Sequence, residues 1–314
     1  MDPVPGPSHF DGVDVPHHIL EKARAVVDND VPNADIVLAT FWTTGPWVAD
    51  LSPSKGAKAI FLQGYETSPG QENLAIDAVW RLPLHKIVVS EWLVEFARDR
   101  FGDSNMHHVP NSVDTQQFHA APRGKQATPT VGMLYSTPHL KGVDVSLAAL
   151  ARVREQIANL HVVAFGADKV SIDLPLPKWI EFHYRPPQDE IPRLYSKCDV
   201  WLCGSRREGF HLPPLEAMAC RCPVVSTRVG GPLDTVEEGI NGYLVDVDDA
   251  EGLANRLVHV LTLPEDEWKR MSDAAHATAT RYTWDDATDL LEDALRDLIS
   301  NAPNEIRYAR KGPT

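Results

Sequence analysis

The sequence predicts an α/β protein built from two successive doubly wound domains, and three observations predict it. Strand candidates are short unbroken apolar runs, such as DIVLAT at 35–40 and VWLC at 200–203, the pattern of parallel strands covered on both faces. Helical segments separate them, EWLVEFARDRF at 91–101 being a clear amphipathic case. The alternation breaks once, around Asn111–Gln126, in PNSVDTQQFHAAPRGKQ, which carries no apolar period and reads as an interdomain linker. A chain of 314 residues has room for two such domains and for a ligand cleft between them.

Taken in order, residues 1–15 are proline-rich without periodicity and read as a loosely held tail. A short helix is expected in HHILEKARAVV, then a strand at Asp35–Thr40 and a helix at Thr44–Leu51. A strand at Ala57–Leu62, a helix at Gln71–Arg81, a strand at Lys86–Ser90, the helix at 91–101 and a strand at Met106–Val109 complete the first block. The second block has strand candidates at Thr130–Tyr135, His161–Gly166, Trp179–His183, Val200–Cys203, Val224–Thr227 and Gly242–Val245. Helices are expected between them at Val143–Ile157, Asp189–Lys197, Pro214–Ala219 and Ala250–Leu263, and then at Glu265–Tyr282 and Trp284–Ile299. Thr283 is placed to cap the last helix, with acids in its first turn where the helix dipole favours them.

Composition narrows the function. Hydrophobic residues at 43% and charged residues at 24% are ordinary for a soluble globular chain. A net charge of −14 argues against nucleic acid as a partner and gives no support to a polybasic membrane patch, while leaving peripheral membrane contact open. No apolar run approaches the ~20 residues of a membrane span. The N-terminus lacks the basic and apolar regions of a secretory signal, so a cytoplasmic location is expected. Cys198, Cys203, Cys220 and Cys222 fall within 25 residues, but their spacings of four, sixteen and one are not those of zinc knuckles. Reduced thiols packed as small hydrophobes are the expectation, and no metal is called for.

The chemistry is expected in Cys203–Asp246. There VWLCGSRREGFHLPPLEAM reads as a strand, a polar loop and a helix opening on Pro213–Pro214. Proline is tolerated in a first helical turn because its missing N–H would have no intrahelical partner. The N–H groups of Phe210, His211 and Leu212 are then free to meet an anion, helped by the helix dipole. Gly209 permits either close backbone approach or positive φ. Glu208 and Glu216, with seven residues between them, bracket the turn. Glu216 can accept from a vicinal diol such as a ribose, and Glu208 can reach the hydroxyls of a second sugar beyond the phosphates. Two glutamates alone are ordinary solvated acids; their place around a Gly-Phe turn after a buried strand is what distinguishes these.

Glu208-GFHLPPL-Glu216, followed by AMACRCPVVSTRVGG and GINGYLVD, resembles the signature of retaining glycosyltransferases of family 4, which have the GT-B fold. VPNSVDTQQF resembles that family's interdomain segment, LKGVDVSLAALARV its lysine-bearing turn, and RYTWDDATDLLEDAL its C-terminal helix that crosses back onto the first domain. The resemblance covers about Ala34–Ile299. It implies a tail at 1–15, a shortened N-terminal acceptor-side domain at 16–118, a nucleotide-sugar donor domain at 119–282 and a crossing helix at 283–300. It also implies transfer of a sugar from a nucleotide-diphosphate donor to an unknown acceptor, with retention and without a metal or other cofactor. Lys141 would contact the phosphates and stabilise the leaving diphosphate. Glu216 would hold the ribose, Glu208 the donor sugar, and Tyr184 and Arg185 the base.

Two departures stand out. Where the family usually has VGRL, this chain has VGML, so a cation is lost at Met133 unless Arg206 or Arg207 replaces it. Where many relatives carry a histidine at the reaction centre, IFLQGYETSPG presents Gln63, Tyr65 and Glu66 on the acceptor side; QGYE there resembles bacterial rhamnosyl-type and polysaccharide transferases, a resemblance that implies a deoxysugar donor. The shortened first domain keeps a second reading in play, a nucleotide-sugar-binding protein that works with a partner subunit. A dinucleotide-dependent dehydrogenase is excluded by the lack of a strand-linked Gly-x-Gly-x-x-Gly.

Overall fold

The computed structural model describes Gly12, residues 14–65 and residues 73–301. Residues 1–11 of the expected tail, Glu66, and Gln71 at the start of an expected helix lie outside the described residues. The first domain contains β1 (Ile36–Ala39), α1 (Gly45–Asp50), β2 (Ala57–Leu62), α2 (Leu74–Trp80), β3 (His85–Val88), α3 (Glu91–Phe101) and β4 (Met106–His108). Its four strands are parallel in the order β1-β2-β3-β4. The second contains β5 (Thr130–Leu134), α4 (Val143–Gln156), β6 (His161–Gly166), β7 (Ile180–Tyr184), α5 (Ile191–Ser196), β8 (Val200–Cys203), α6 (Leu212–Ala219), β9 (Val224–Thr227), α7 (Pro232–Thr235), β10 (Gly242–Val245), α8 (Ala250–Thr262) and α9 (Glu265–Thr280). Its six strands, also parallel, run β10-β9-β8-β5-β6-β7. A final helix, α10 (Trp284–Asn301), follows.

The expected strands all form, within about two residues of the expected ends, because unbroken apolar runs bury on both faces of a parallel sheet. One expected element does not form: no helix covers HHILEKARAVV, and only a 3-10 turn at Asp28–Asp30 follows it. Nearly every residue of that stretch is exposed, so its apolar face has nothing to pack on, and a short unpacked helix is marginal in water. The short α7 was not signalled by any apolar period. The segment between β4 and β5 has no regular element, yet it is held fast: Val113 and Phe118 are buried, Lys125 Nζ donates to the carbonyls of Leu261 and Leu263, and Gln126 N donates to the buried Asp199.

Strand order places the site. The chain runs from β5 outward through β6 and β7, then returns to the other side of β5 for β8, β9 and β10. The loops after β5 and β8 therefore leave the same sheet edge side by side. They lead to opposite faces, where α4 packs with α8 and α6 joins the core shared with α9. That divergence opens a crevice, the usual ligand position in an open α/β sheet. The two loops also interlock. Gly142, at φ +54°, lies so close to Gly204 that a β-carbon would sit 1.8 Å from the Gly204 carbonyl oxygen.

The two domains share one core. Ile60, Val88 and Leu93 of the first belong to the same buried cluster as Phe165, Trp201 and Phe210 of the second. Thr283 and Asp286 form a reciprocal capping box at the start of α10, Asp286 N donating to Thr283 Oγ1 and Thr283 N to Asp286 Oδ2. Ala287 and Ala294 of this helix are buried together with Ile87 and Val109, so α10 lies on the sheet of the first domain.

Gly142→Ala is expected to cost at least about 2 kcal/mol, from the left-handed backbone and the clash together, and to lower Tm by about 3 °C or more. A melting curve within about 1 °C of wild type would show that the loops are not interlocked.

Candidate functional site

Lys141 ends a 3-10 turn, His139–Lys141, that leads into α4, and Glu208 lies in the loop between β8 and α6. The interlocked loops bring them into contact: Lys141 Nζ donates to Glu208 Oε1 and Oε2 at 3.0 and 2.9 Å. Ser205 Oγ donates to Glu208 Oε1 at 2.8 Å, and His211 Nδ1 lies 3.3 Å from the same oxygen. The Glu208 side chain is 8% exposed while that of Lys141 is 32% exposed, so the lysine faces the crevice and the carboxylate sits beneath it. A charge-assisted contact of this kind is worth about 1.5–3 kcal/mol, toward the low end where one partner is partly solvated.

The loop that carries Lys141 is pinned by Asp168, which accepts from Thr137 N at 2.8 Å and from the hydroxyls of Ser136 and Thr137 at 3.1 Å. Arg206 does not replace the cation absent at Met133. Its guanidinium pairs with Asp144 at 2.6 and 2.8 Å and with Asp248 at 2.7 Å, and it bonds the His139 carbonyl. Arg207 stacks over the ring of Tyr65, 5.5 Å from its centroid. Met133 itself is a fully buried core residue of β5.

Helix α6 begins at Leu212, and His211 precedes it at φ +76°. Leu212 and Glu216 are four residues apart, hence on one helix face, and the side chain of Glu216 leans toward the helix start. The partner that the structure gives its carboxylate lies on a neighbouring helix. Tyr195 of α5, fully buried among Phe165 and Trp201, donates its hydroxyl to Glu216 Oε2 at 2.6 Å. Burial pushes the Glu216 carboxyl above its usual 4.5, opposed by the Tyr195 hydroxyl and by the charge of His211.

Tyr184 and Arg185 end β7, two strands along the same sheet edge from β5, about 10 Å away. Tyr184 is 43% exposed. Arg185, at φ +48°, is fixed by its own N–H on the Gly166 carbonyl and by Nε on that of Ala167, and it stacks on Tyr184 at 5.3 Å.

Gly209 resolves its two expected uses in favour of close approach. A β-carbon there would fall 1.6 Å from the Gln63 carbonyl oxygen of the facing domain. The Gly209 carbonyl accepts from Ser90 Oγ at 3.0 Å and from Trp92 Nε1 at 2.7 Å, and Phe210 is buried in the shared core. In the first domain, Gln63 meets the loop through its backbone, with its side-chain amide directed to the Thr40 carbonyl at 3.4 Å. Tyr65 is buried, its hydroxyl donating to Asp77 at 2.6 Å, so it touches the loop through its ring rather than offering a hydroxyl to the crevice.

Ser90, Trp92, Ser205 and Tyr195, together with the side chain of His211, carried no motif of their own, although all of them fix a predicted site residue. Ser90 was visible only as the end of an expected strand, and Trp92 only within the amphipathic helix that follows it. The four cysteines are buried free thiols, and among the described residues no group of three potential metal ligands converges. Among those residues, too, no helix is long and apolar enough to cross a membrane.

Because burial in the fold holds Glu216 above its usual 4.5, folding favours the protonated form. Its contribution to stability is therefore full below that value and is lost as pH rises through the raised one. Glu216→Gln should flatten this part of the decline, so the Tm gap between variant and wild type should shift in the variant's favour from about pH 4.5 to about pH 7. A constant gap would contradict the assignment.

Known proteins resemble this chain in sequence and in fold. Residues 114–278 match the family described as glycosyl transferases group 1. A D-inositol 3-phosphate glycosyltransferase of Corynebacterium urealyticum is 30% identical over 54% of this chain, but the match spans only 43% of that protein's length. Sucrose-phosphate synthase from Thermosynechococcus elongatus superposes with a TM-score of 0.73 at 17% identity, over 85% of this chain and 74% of the other. Anabaena Alr3699/HepE, solved in complex with UDP-glucose, gives 0.69 at 20% identity over 85% and 79%. The architecture, two parallel-sheet α/β domains, is the GT-B fold.

Proposed function

The chain belongs to the glycosyl transferases group 1 family, and from that premise we propose that it moves a sugar from a nucleotide-diphosphate sugar to an acceptor, with retention at the anomeric carbon and without a metal. The observation that carries this reading is the Lys141–Glu208 pair at the switch point of the second sheet, with Glu216 one turn into α6 and held by Tyr195.

Each part has a physical task. The diphosphate would lie between Lys141 and the first turn of α6, whose N–H groups and dipole favour anions. Charge that develops on the leaving diphosphate is then met by groups already in place. Glu216 would take the ribose hydroxyls, and the base would extend toward Tyr184 and Arg185. Glu208 would accept from the sugar hydroxyls and so orient the anomeric carbon toward the first domain. The acceptor oxygen would bond to that carbon on the face from which the phosphate oxygen departs, and its proton would pass to the departing diphosphate. Glu208 orients in this scheme and is not a nucleophile; its contact with Lys141, Ser205 and His211 supports a fixed acceptor of hydrogen bonds. The acceptor would belong to polysaccharide, glycolipid or natural-product assembly, with the donor a hexose or deoxyhexose.

A thermal-shift panel of UDP-, GDP- and dTDP-sugars, followed by donor hydrolysis with the best binder, tests the proposal. Stabilisation by one nucleotide class and measurable turnover are expected. Stabilisation by none would sink the reading, and binding without turnover over a broad acceptor set would replace catalysis by binding alone. Glu216→Ala should weaken bare nucleotide and nucleotide sugar alike, by about tenfold or more. Glu208→Ala should weaken the nucleotide sugar selectively, and an equal loss for the bare nucleotide would reverse the two roles.

A further inference from the structure

His211 is an unusual choice for its place in the fold. Its backbone lies at φ +76° and ψ +84°, where a glycine would sit without strain and other residues rarely do. The imidazole is nonetheless tucked away, 5% exposed, with Nδ1 3.3 Å from Glu208 Oε1. It also lies beside Cys203 at the end of β8, close enough for the ring and the thiol to influence each other electrostatically. The ring is thus wedged between the sheet below and Glu208 above.

Glu208 has two cationic neighbours of different kinds. Lys141, a third exposed on a flexible stem, faces the crevice and holds both carboxylate oxygens. A diphosphate entering the crevice competes for that ammonium, which cannot serve both anions at full strength. Ser205 remains, but it is neutral. A nearly buried carboxylate stripped of its cation is costly to keep, and one free to swing would not orient a sugar.

We propose that His211 is a positioning residue whose side chain keeps Glu208 aimed at the donor sugar when Lys141 turns to the diphosphate. The inference rests on the donor-site reading above. Burial by itself would push the imidazole down, but the neighbouring Cys203 and Glu208 outweigh it and hold it above its usual 6.5, with Lys141 opposing them. Glu216 feels the same positive charge. Donor-sugar recognition should therefore weaken as pH rises through the raised value for His211, because the imidazole then loses its charge.

Two measurements on the full chain test this. In the first, the ring-proton NMR titration of His211 is followed in wild type and in Glu208→Gln. A midpoint above 6.5 that falls in the variant is expected; a midpoint that does not move would overturn the proposal whatever the protein binds. In the second, His211→Gly and His211→Asn are compared with wild type for a nucleoside diphosphate and for the nucleotide sugar that stabilises the wild type best. His211→Gly relieves the backbone and His211→Asn keeps a side-chain donor there; melting curves first show that both variants are folded at the assay temperature. Both variants should lose about tenfold or more in nucleotide-sugar affinity, a larger loss than for the nucleoside diphosphate, along with the pH dependence. Unchanged sugar-nucleotide affinity and an unchanged pH profile would overturn the proposal. Wild-type protein that binds no nucleotide sugar, with His211 still coupled to Glu208 by NMR, would refute the donor-site reading and the positioning role together, leaving the contact purely structural.

Discussion

The loop after β5 and the loop after β8 leave the same edge of the second sheet and touch, Gly142 against the carbonyl of Gly204. Much of the candidate site depends on that contact. It sets Lys141 within hydrogen-bond reach of Glu208, although the two are 67 residues apart in sequence. Strand order makes the contact available, since β5 and β8 are neighbours only because the chain doubles back between β7 and β8. The absence of two β-carbons makes it close enough to use. Divergence of α4 and α6 to opposite faces then leaves the crevice that the paired charges line.

A second close approach ties that site to the facing domain. Gly209 abuts the Gln63 carbonyl, its own carbonyl accepts from Ser90 and Trp92, and Glu91 N donates to Asp234 at 3.1 Å. Residues on both sides of Glu208 are therefore anchored to the first domain, while Glu208 itself is anchored to the second through Ser205 and His211. Relative motion of the domains would pull on the loop that carries Glu208 directly. The same arrangement explains why Tyr65 is buried: its ring supports Arg207 beside the loop, and its hydroxyl is committed to Asp77.

Much of the architecture was legible in the residues because parallel strands advertise themselves as unbroken apolar runs, and every expected strand formed. The failure at HHILEKARAVV has the opposite cause: periodicity alone does not make a helix when its apolar face finds no partner. In the site, Glu208, Gly209 and Glu216 stood out by spacing around a Gly-Phe turn. Tyr195 and Trp92 did not, because each acts across a helix-to-helix or domain-to-domain contact that leaves no periodic trace, and Ser205 did not because a lone serine within the loop carries no pattern. Arg206 invited a role as a phosphate-binding cation that its two aspartate partners, Asp144 and Asp248, do not leave open.

By itself the sequence determined the order of strands and helices, the helix start marked by Pro213–Pro214 and the pair of glutamates around it, since these follow from local sterics and from burial patterns within a few residues. Only the tertiary structure decided which charges meet. Hydrogen bonds and ion pairs act over about 3 Å, so the partners of Glu208 depend on where a distant loop arrives, on strand order, and on which neighbours lack a β-carbon. The two carboxylates that flank one turn thus occupy two separate environments: Glu208 under Lys141 and over His211, and Glu216 against the hydroxyl of a buried tyrosine.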